Sequence, residues 1–206
     1  VYVPDDTSGF WDLACLQYGS FTPMKGHKSA RQVVEDVMTQ KATVGIVPIP
    51  RSDDSDPWWR YLANNNPDTP KVIARLPFTG QSNTRGEPGL EALVICPVPH
   101  EPAGRDRTFF VVEFEQRIGL DQLQDSLSAN DLPAVQGTSW HDGETPNLWL
   151  YLVEVDAFIA EDDPRLSRFQ ENFSTPVKHI TQVGGYALPL TTDELAIAAK
   201  PSDEEP

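Results

Sequence analysis

The chain has 206 residues, enough to bury a real core in one or two domains, and 31 acidic against 16 basic residues give a net charge of −15. That balance argues against nucleic-acid or anionic-membrane partners, and no apolar run reaches the roughly 18 residues that a membrane span needs. Cys15 and Cys96 lie outside any CxxC pair, so two buried thiols in a reducing cytoplasm are the simpler reading and a disulfide the other.

The first residue is Val1, with neither a methionine nor a secretory hydrophobic region, as expected of a piece of a longer polypeptide or a trimmed one. Residues 1–4 open as a short strand. Thr7 or Ser8 is placed to cap a helix over 9–18, and 21–24 reads as a second short strand. Ser29 caps a clearer helix over 30–40 with Val33, Val34 and Val37 on its apolar face; 44–49 (VGIVPI) is a buried strand with Pro48 near its end. This alternation predicts an α/β unit with a mostly parallel sheet. Asp53, Asp54 and Asp56 read as a solvated turn, with Asp56 capping a helix over 57–63 (PWWRYLA). Of Trp58 and Trp59, one is expected in the core and its neighbour half-exposed, ahead of a ligand platform or partner patch. A strand over 71–78 and a Gly/Ser/Asn/Pro loop over 79–89 complete the first half.

The second half is more regular. Residues 107–115 (RTFFVVEFE) form a strand, Leu120, Leu123 and Leu127 mark a helix over 120–130, and 133–140 forms another strand ahead of an Asp142-Gly143 turn. In the strand 148–155, Trp149, Tyr151, Val153 and Val155 share one face and Leu148, Leu150 and Leu152 the other, so both faces are expected to be covered. Asp163 caps a helix starting at Pro164, with Leu166, Phe169 and Phe173 as its buried stripe; Glu161-Asp162-Asp163 is thus a turn and cap. A strand over 177–183 closes at Gly184-Gly185-Tyr186. This order suits a small antiparallel sheet with two helices on one side, a ferredoxin-like βαββαβ arrangement. The tail 191–206, with a short helical run and an acidic, proline-ended tip, is expected to be surface-bound or disordered.

Several segments resemble one family. Residues 152–166 (LVEVDAFIAEDDPRL) and 183–188 (VGGYAL) are similar to the end of the ACT domain at the C-terminus of prephenate dehydratases. Asp6-Thr7-Ser8-Gly9-Phe10, residues 29–52 (SARQVVEDVMTQKATVGIVPIPRS) and 93–108 (LVICPVPHEPAGRDRT) extend the resemblance over nearly the whole chain. It implies an α/β plus α+β fold: a partial, type II periplasmic-binding-protein-like lobe over 1–104, a ferredoxin-like ACT domain over 105–190, and the tail. It also implies an ACT domain that senses phenylalanine, a homodimer through that domain, and a fused chorismate mutase as a further partner.

The departures from the family pattern matter as much. Thr7, Ser8, Phe10 and Ser52 remain at family-equivalent catalytic positions, but Pro50-Arg51-Ser52 stands for the family's "ENS" and Leu90-Glu91-Ala92 for its "TRF". Glutamate in place of a cationic arginine reverses the charge offered to a dicarboxylate. Thr84-Arg85 is the alternative remnant of that motif, and 57–89 is too short for a second doubly wound lobe of on the order of 80 residues. The inherited enzyme site is therefore expected to be lost. His27, His100, His141 and His179 have no ligand spacing, and no P-loop, GxGxxG or GxSxG is present, so neither metal nor cofactor is expected.

The effector pocket implied by the resemblance falls on Ile118-Gly119-Leu120, where the family has "GAL", and on Thr138, Ser139 and Trp140, where its "ESRP" has lost glutamate and arginine. A helix N-terminus suits an amino-acid carboxylate, and Thr138 and Ser139 can hydrogen-bond a ligand. Trp140 either stacks on an aromatic ligand or packs at a dimer interface. The sequence thus favours a non-catalytic regulatory, amino-acid-sensing and dimerisation module of phenylalanine biosynthesis. A divergent prephenate dehydratase is the alternative, and a sensor of another small amino acid the third reading.

Overall fold

The computed structural model describes residues 1–5, 9–64, 66–78 and 89–191. One seven-stranded sheet runs through it in the order β1-β3-β2-β7-β4-β6-β5. Its strands are β1 Gly45–Pro48, β2 Lys71–Leu76, β3 Ala92–Cys96, β4 Asp106–Phe114, β5 Ala134–His141, β6 Trp149–Val155 and β7 His179–Ala187. The helices are α1 Phe10–Tyr18, α2 Ala30–Met38, α3 Leu120–Ala129 and α4 Pro164–Asn172, with a 3-10 helix at Trp58–Leu62.

From β4 to β7 the chain runs strand-helix-strand-strand-helix-strand, and every neighbouring pair in β7-β4-β6-β5 is antiparallel. The β-branched and aromatic strand residues alternate as a period of two requires. Phe110, Val112, Phe114, Tyr151, Val153 and Val155 meet Leu123, Leu127, Leu166 and Phe169 of α3 and α4 in one core. Phe109, Val111, Leu150 and Leu152 face the other way, and Val33, Val34 and Val37 of α2 together with Trp58 and Trp59 cover them. The N-terminal elements therefore roof the sheet face that α3 and α4 leave bare. Asp163 caps α4 as its sequence suggests, accepting from the Arg165 amide at 2.9 Å with Pro164 in the first turn.

The first half departs from the expected parallel sheet. β3 pairs antiparallel with both β1 and β2; among the seven strands the parallel contact is Val72 of β2 against Gly184 of β7, and outside them Tyr2 bridges His27 in parallel. The reason lies in chain order: α1 and α2 both precede β1, so neither connects two of the seven strands. The strand expected at 21–24 does not form, leaving Phe21 wholly exposed, while Tyr2 bridges to His27 instead. In place of the helix expected over 57–63, the 3-10 turn Trp58–Leu62 buries both tryptophans at 1 % exposure, correcting the half-exposed reading of one. Asp56 does not cap that turn; it pairs with Arg60 at 2.7 Å and accepts from Tyr61 Oη at 2.8 Å.

Gly184 is what lets the two parts of the sheet join. Its φ is +103°, and a Cβ there would sit 2.1 Å from the Val72 carbonyl oxygen. Only glycine admits β2 so closely. Asp6, Thr7, Ser8, Thr84, Arg85 and the helical run after Thr191 lie outside the described residues. No helix among the described residues is long and apolar enough to cross a membrane.

Candidate functional site

A cavity of about 530 Å³ lies between the segment after β1 and the roofed face of β4, β5 and β6. Ile49, Pro50, Arg51, Ser52 and Asp53 form one wall; Phe109, Gln136, Gly137, Thr138, Leu152 and Glu154 form the other. Strand register explains the second wall. Thr138 stands opposite Leu152 and Gln136 opposite Glu154 across the β5–β6 pair, so these side chains emerge on one face.

The first wall is held by tryptophans at two points. Trp58 donates its indole N–H to the Pro48 carbonyl at 3.0 Å. Trp140 donates to the Ser55 carbonyl at 3.1 Å while the Arg60 guanidinium lies 4.2 Å from its ring centroid. Trp140 thus clamps the 51–56 loop.

Glu154 is the unusual member. It is 1 % exposed in an otherwise apolar strand. Its Oε1 accepts from Arg107 Nη1 at 3.0 Å and from the Tyr186 hydroxyl, which in turn accepts from Arg75 Nη1 at 2.9 Å. Arg107 reaches on to Asp156 at 3.1 Å and Arg75 to Glu91 at 2.7 Å. Burial, and then the adjacent Glu154 carboxylate, push the Tyr186 phenol up to about 12. Burial opposes the charge on Arg107, but its bonds to Glu154 and Asp156 outweigh that and raise its pKa further. Glu154 Oε2 and Thr138 Oγ1, both buried, have no hydrogen-bond partner among the described residues. Glu91, which stands at the expected arginine position, turns to Arg75 and does not line the cavity.

Two residues singled out from the sequence, Ser52 and Thr138, meet in this cavity. The other candidates fall elsewhere. Phe10 is 7 % exposed and packs with Leu13, Ile46 and Val94, edge-on to Tyr2. Ser139 is exposed on the opposite sheet face from Thr138 and Trp140, as strand alternation dictates. Ile118, Gly119 and Leu120 lie on that opposite side too: the Tyr151 hydroxyl accepts from Ile118 N–H and donates to Ile118 C=O, and Leu120 packs over Gly137. Gly119 caps α3 at φ −66° with room for a Cβ, so its local conformation does not demand glycine. The six effector positions are thus divided between two faces of one sheet.

Phe109, Leu152 and Glu154 escaped the sequence reading as site residues, and Arg51 entered it only as a departure from the family's "ENS". For Glu154 a signal was present, since a lone charge in LWLYLVEV is costly to bury without a purpose or a partner.

No protein-family model and no characterised protein sequence matches the chain. Among solved structures, its fold is similar to prephenate dehydratase from Arthrobacter aurescens in complex with L-Phe, at a TM-score of 0.63 and 10 % identity over 100 % of this chain and 92 % of that one. Prephenate dehydratase from Streptococcus mutans matches at 0.60 and 11 % over 92 % and 97 %. GqqA, described as a novel type of quorum-quenching acylase, matches at 0.59 and 14 % over 92 % of each chain. The chain therefore has a prephenate dehydratase-like fold.

Proposed function

We propose that this chain is a non-catalytic amino-acid-sensing and dimerisation module related to aromatic amino-acid biosynthesis, with an aromatic amino acid bound in the cavity beside Thr138. The observation that carries this reading is the charge of the cavity. Among its described lining residues Glu154, buried and paired behind the wall with Arg107, and Asp53 are acidic, against Arg51, which is already 3.2 Å from Asp53. A dianion such as prephenate meets repulsion there, whereas a zwitterion finds a place for each charge. The L-Phe carried by the Arthrobacter aurescens relative favours an amino acid over other zwitterions. Residues 105–190 are then a ferredoxin-like ACT domain, and the outer edge of β5, which ends the sheet, is the edge offered to a second copy.

The test is calorimetry of the purified chain with phenylalanine, tyrosine and tryptophan, with prephenate turnover assayed on the same preparation. Binding without turnover is the expected outcome. Turnover to phenylpyruvate would establish the divergent dehydratase instead, and silence in both assays would sink the sensing role.

A further inference from the structure

We infer that the free oxygen of Glu154 is the receptor for the ligand's ammonium group, so that the cavity selects α-amino acids over their deaminated analogues. The inference rests on the amino-acid-sensing reading and assigns the chemistry of its site. Glu154 Oε2 and Thr138 Oγ1 are both more than nine-tenths buried, both belong to cavity-lining residues, and both lack a partner among the described residues. A buried acceptor left unmet is destabilising, the more so on a charged group, and an ammonium brings three donors to such acceptors. Thr138 and Glu154 are diagonal neighbours on adjacent strands, a spacing of roughly 7–8 Å between backbones that long side chains close to within reach of one small cation.

The nearby cations among the described residues do not fill this role. Arg107 and Tyr186 both approach Oε1, and Arg75 is held by Tyr186 and Glu91. These bonds hold Oε1 and leave Oε2 unpartnered just beneath the cavity lining, so a guest reaches it once the side chains over it shift. Phe109, Leu152, Ile49 and Pro50 supply apolar walls for a side chain, and Arg51 at the exposed rim faces the ligand carboxylate. The volume falls within the roughly 300–1,000 Å³ of small-molecule pockets.

The test uses the full chain and a matched series: phenylalanine, phenethylamine without the carboxylate, and 3-phenylpropionate without the amine. Phenylalanine is expected to bind, phenethylamine within about tenfold of it, and 3-phenylpropionate roughly 100-fold more weakly, about 2.8 kcal/mol at a factor of ten per 1.4 kcal/mol. Glu154→Gln keeps an acceptor for Arg107 and Tyr186 and is expected to weaken phenylalanine by roughly 30-fold; Thr138→Val, which removes the unpartnered hydroxyl, weakens it by about fivefold. Equal binding of phenylalanine and 3-phenylpropionate overturns the inference while leaving a sensing role elsewhere on the chain. Binding of none of the aromatic amino acids removes both. The ligand series on the unaltered chain decides the matter even if Glu154→Gln fails to fold.

Discussion

Replacing Tyr186 by phenylalanine removes one hydroxyl from the centre of the buried network and little else. The ring is 1 % exposed and packs 5.8 Å from Phe109, so no cavity opens. The hydroxyl donates to Glu154 and accepts from Arg75, two charged partners. At about 1.5–3 kcal/mol for a hydrogen bond to a charged group, and with Arg107 and Glu91 still holding the partners, the expected loss is roughly 2–4 kcal/mol. Urea unfolding followed by tryptophan fluorescence reads this as a lowered midpoint at unchanged m-value. The pH dependence gives a second check. The Tyr186 phenol ionises near its ordinary value of 10.0 when unfolded and is pushed to about 12 when folded, so the folded state holds its proton more tightly. The associated stability is fully present below pH 10 and drains away as pH rises towards 12. Tyr186→Phe lacks that dependence, and the gap between the two proteins narrows across this window. A variant within about 0.5 kcal/mol of the parent at neutral pH, or a gap that widens with pH, would refute the network's role.

Gly184→Ala is expected to cost at least about 3 kcal/mol, since it adds left-handed backbone strain to a 2.1 Å collision with Val72, whereas Gly143→Ala, with open space around it, is near neutral in the same urea assay. Trp58→Phe loses the bond to Pro48, whereas the indole nitrogen of Trp59, equally buried, has no partner among the described residues; Trp58→Phe is therefore more destabilising than Trp59→Phe by about 1 kcal/mol. Trp140→Ala frees Arg60 and Ser55, costs about 1–2 kcal/mol, and exposes the 51–56 loop to faster limited proteolysis. His100 is held below its ordinary 6.5 by burial, against the pull of Asp106. Its folded pKa is the lower one, so it contributes stability above pH 6.5 that is lost as pH falls; urea midpoints should decline from pH 7.5 to 5.5.

The strand and helix order from β4 to β7 was legible because each element carries its own period: alternating faces in β4 and β6, Leu123 with Leu127 in α3, Leu166 with Phe169 in α4. The joining of the two halves was not, because it depends on the Val72–Gly184 contact, which brings together residues far apart in sequence. The Trp58-Trp59 pair misled for a related reason: a 3-10 turn roofed by α2 and laid on the sheet buries both rings, and no local pattern announces that roof. For the site, motif position placed Thr138, Ser139 and Trp140 together, yet alternation along β5 already separates Ser139 from its neighbours. Ser52 and Thr138 come from opposite halves of the chain, and only the fold brings them to one cavity.

The most direct test of the account is an amide chemical-shift map of the isotope-labelled chain titrated with phenylalanine. Shifts concentrated at Ser52, Thr138, Leu152 and Glu154, with Gly119 and Ser139 unmoved, are expected if the cavity under the 49–53 segment is the site. Shifts centred on Ile118, Gly119 and Ser139 would place the ligand on the opposite face of the sheet and contradict it.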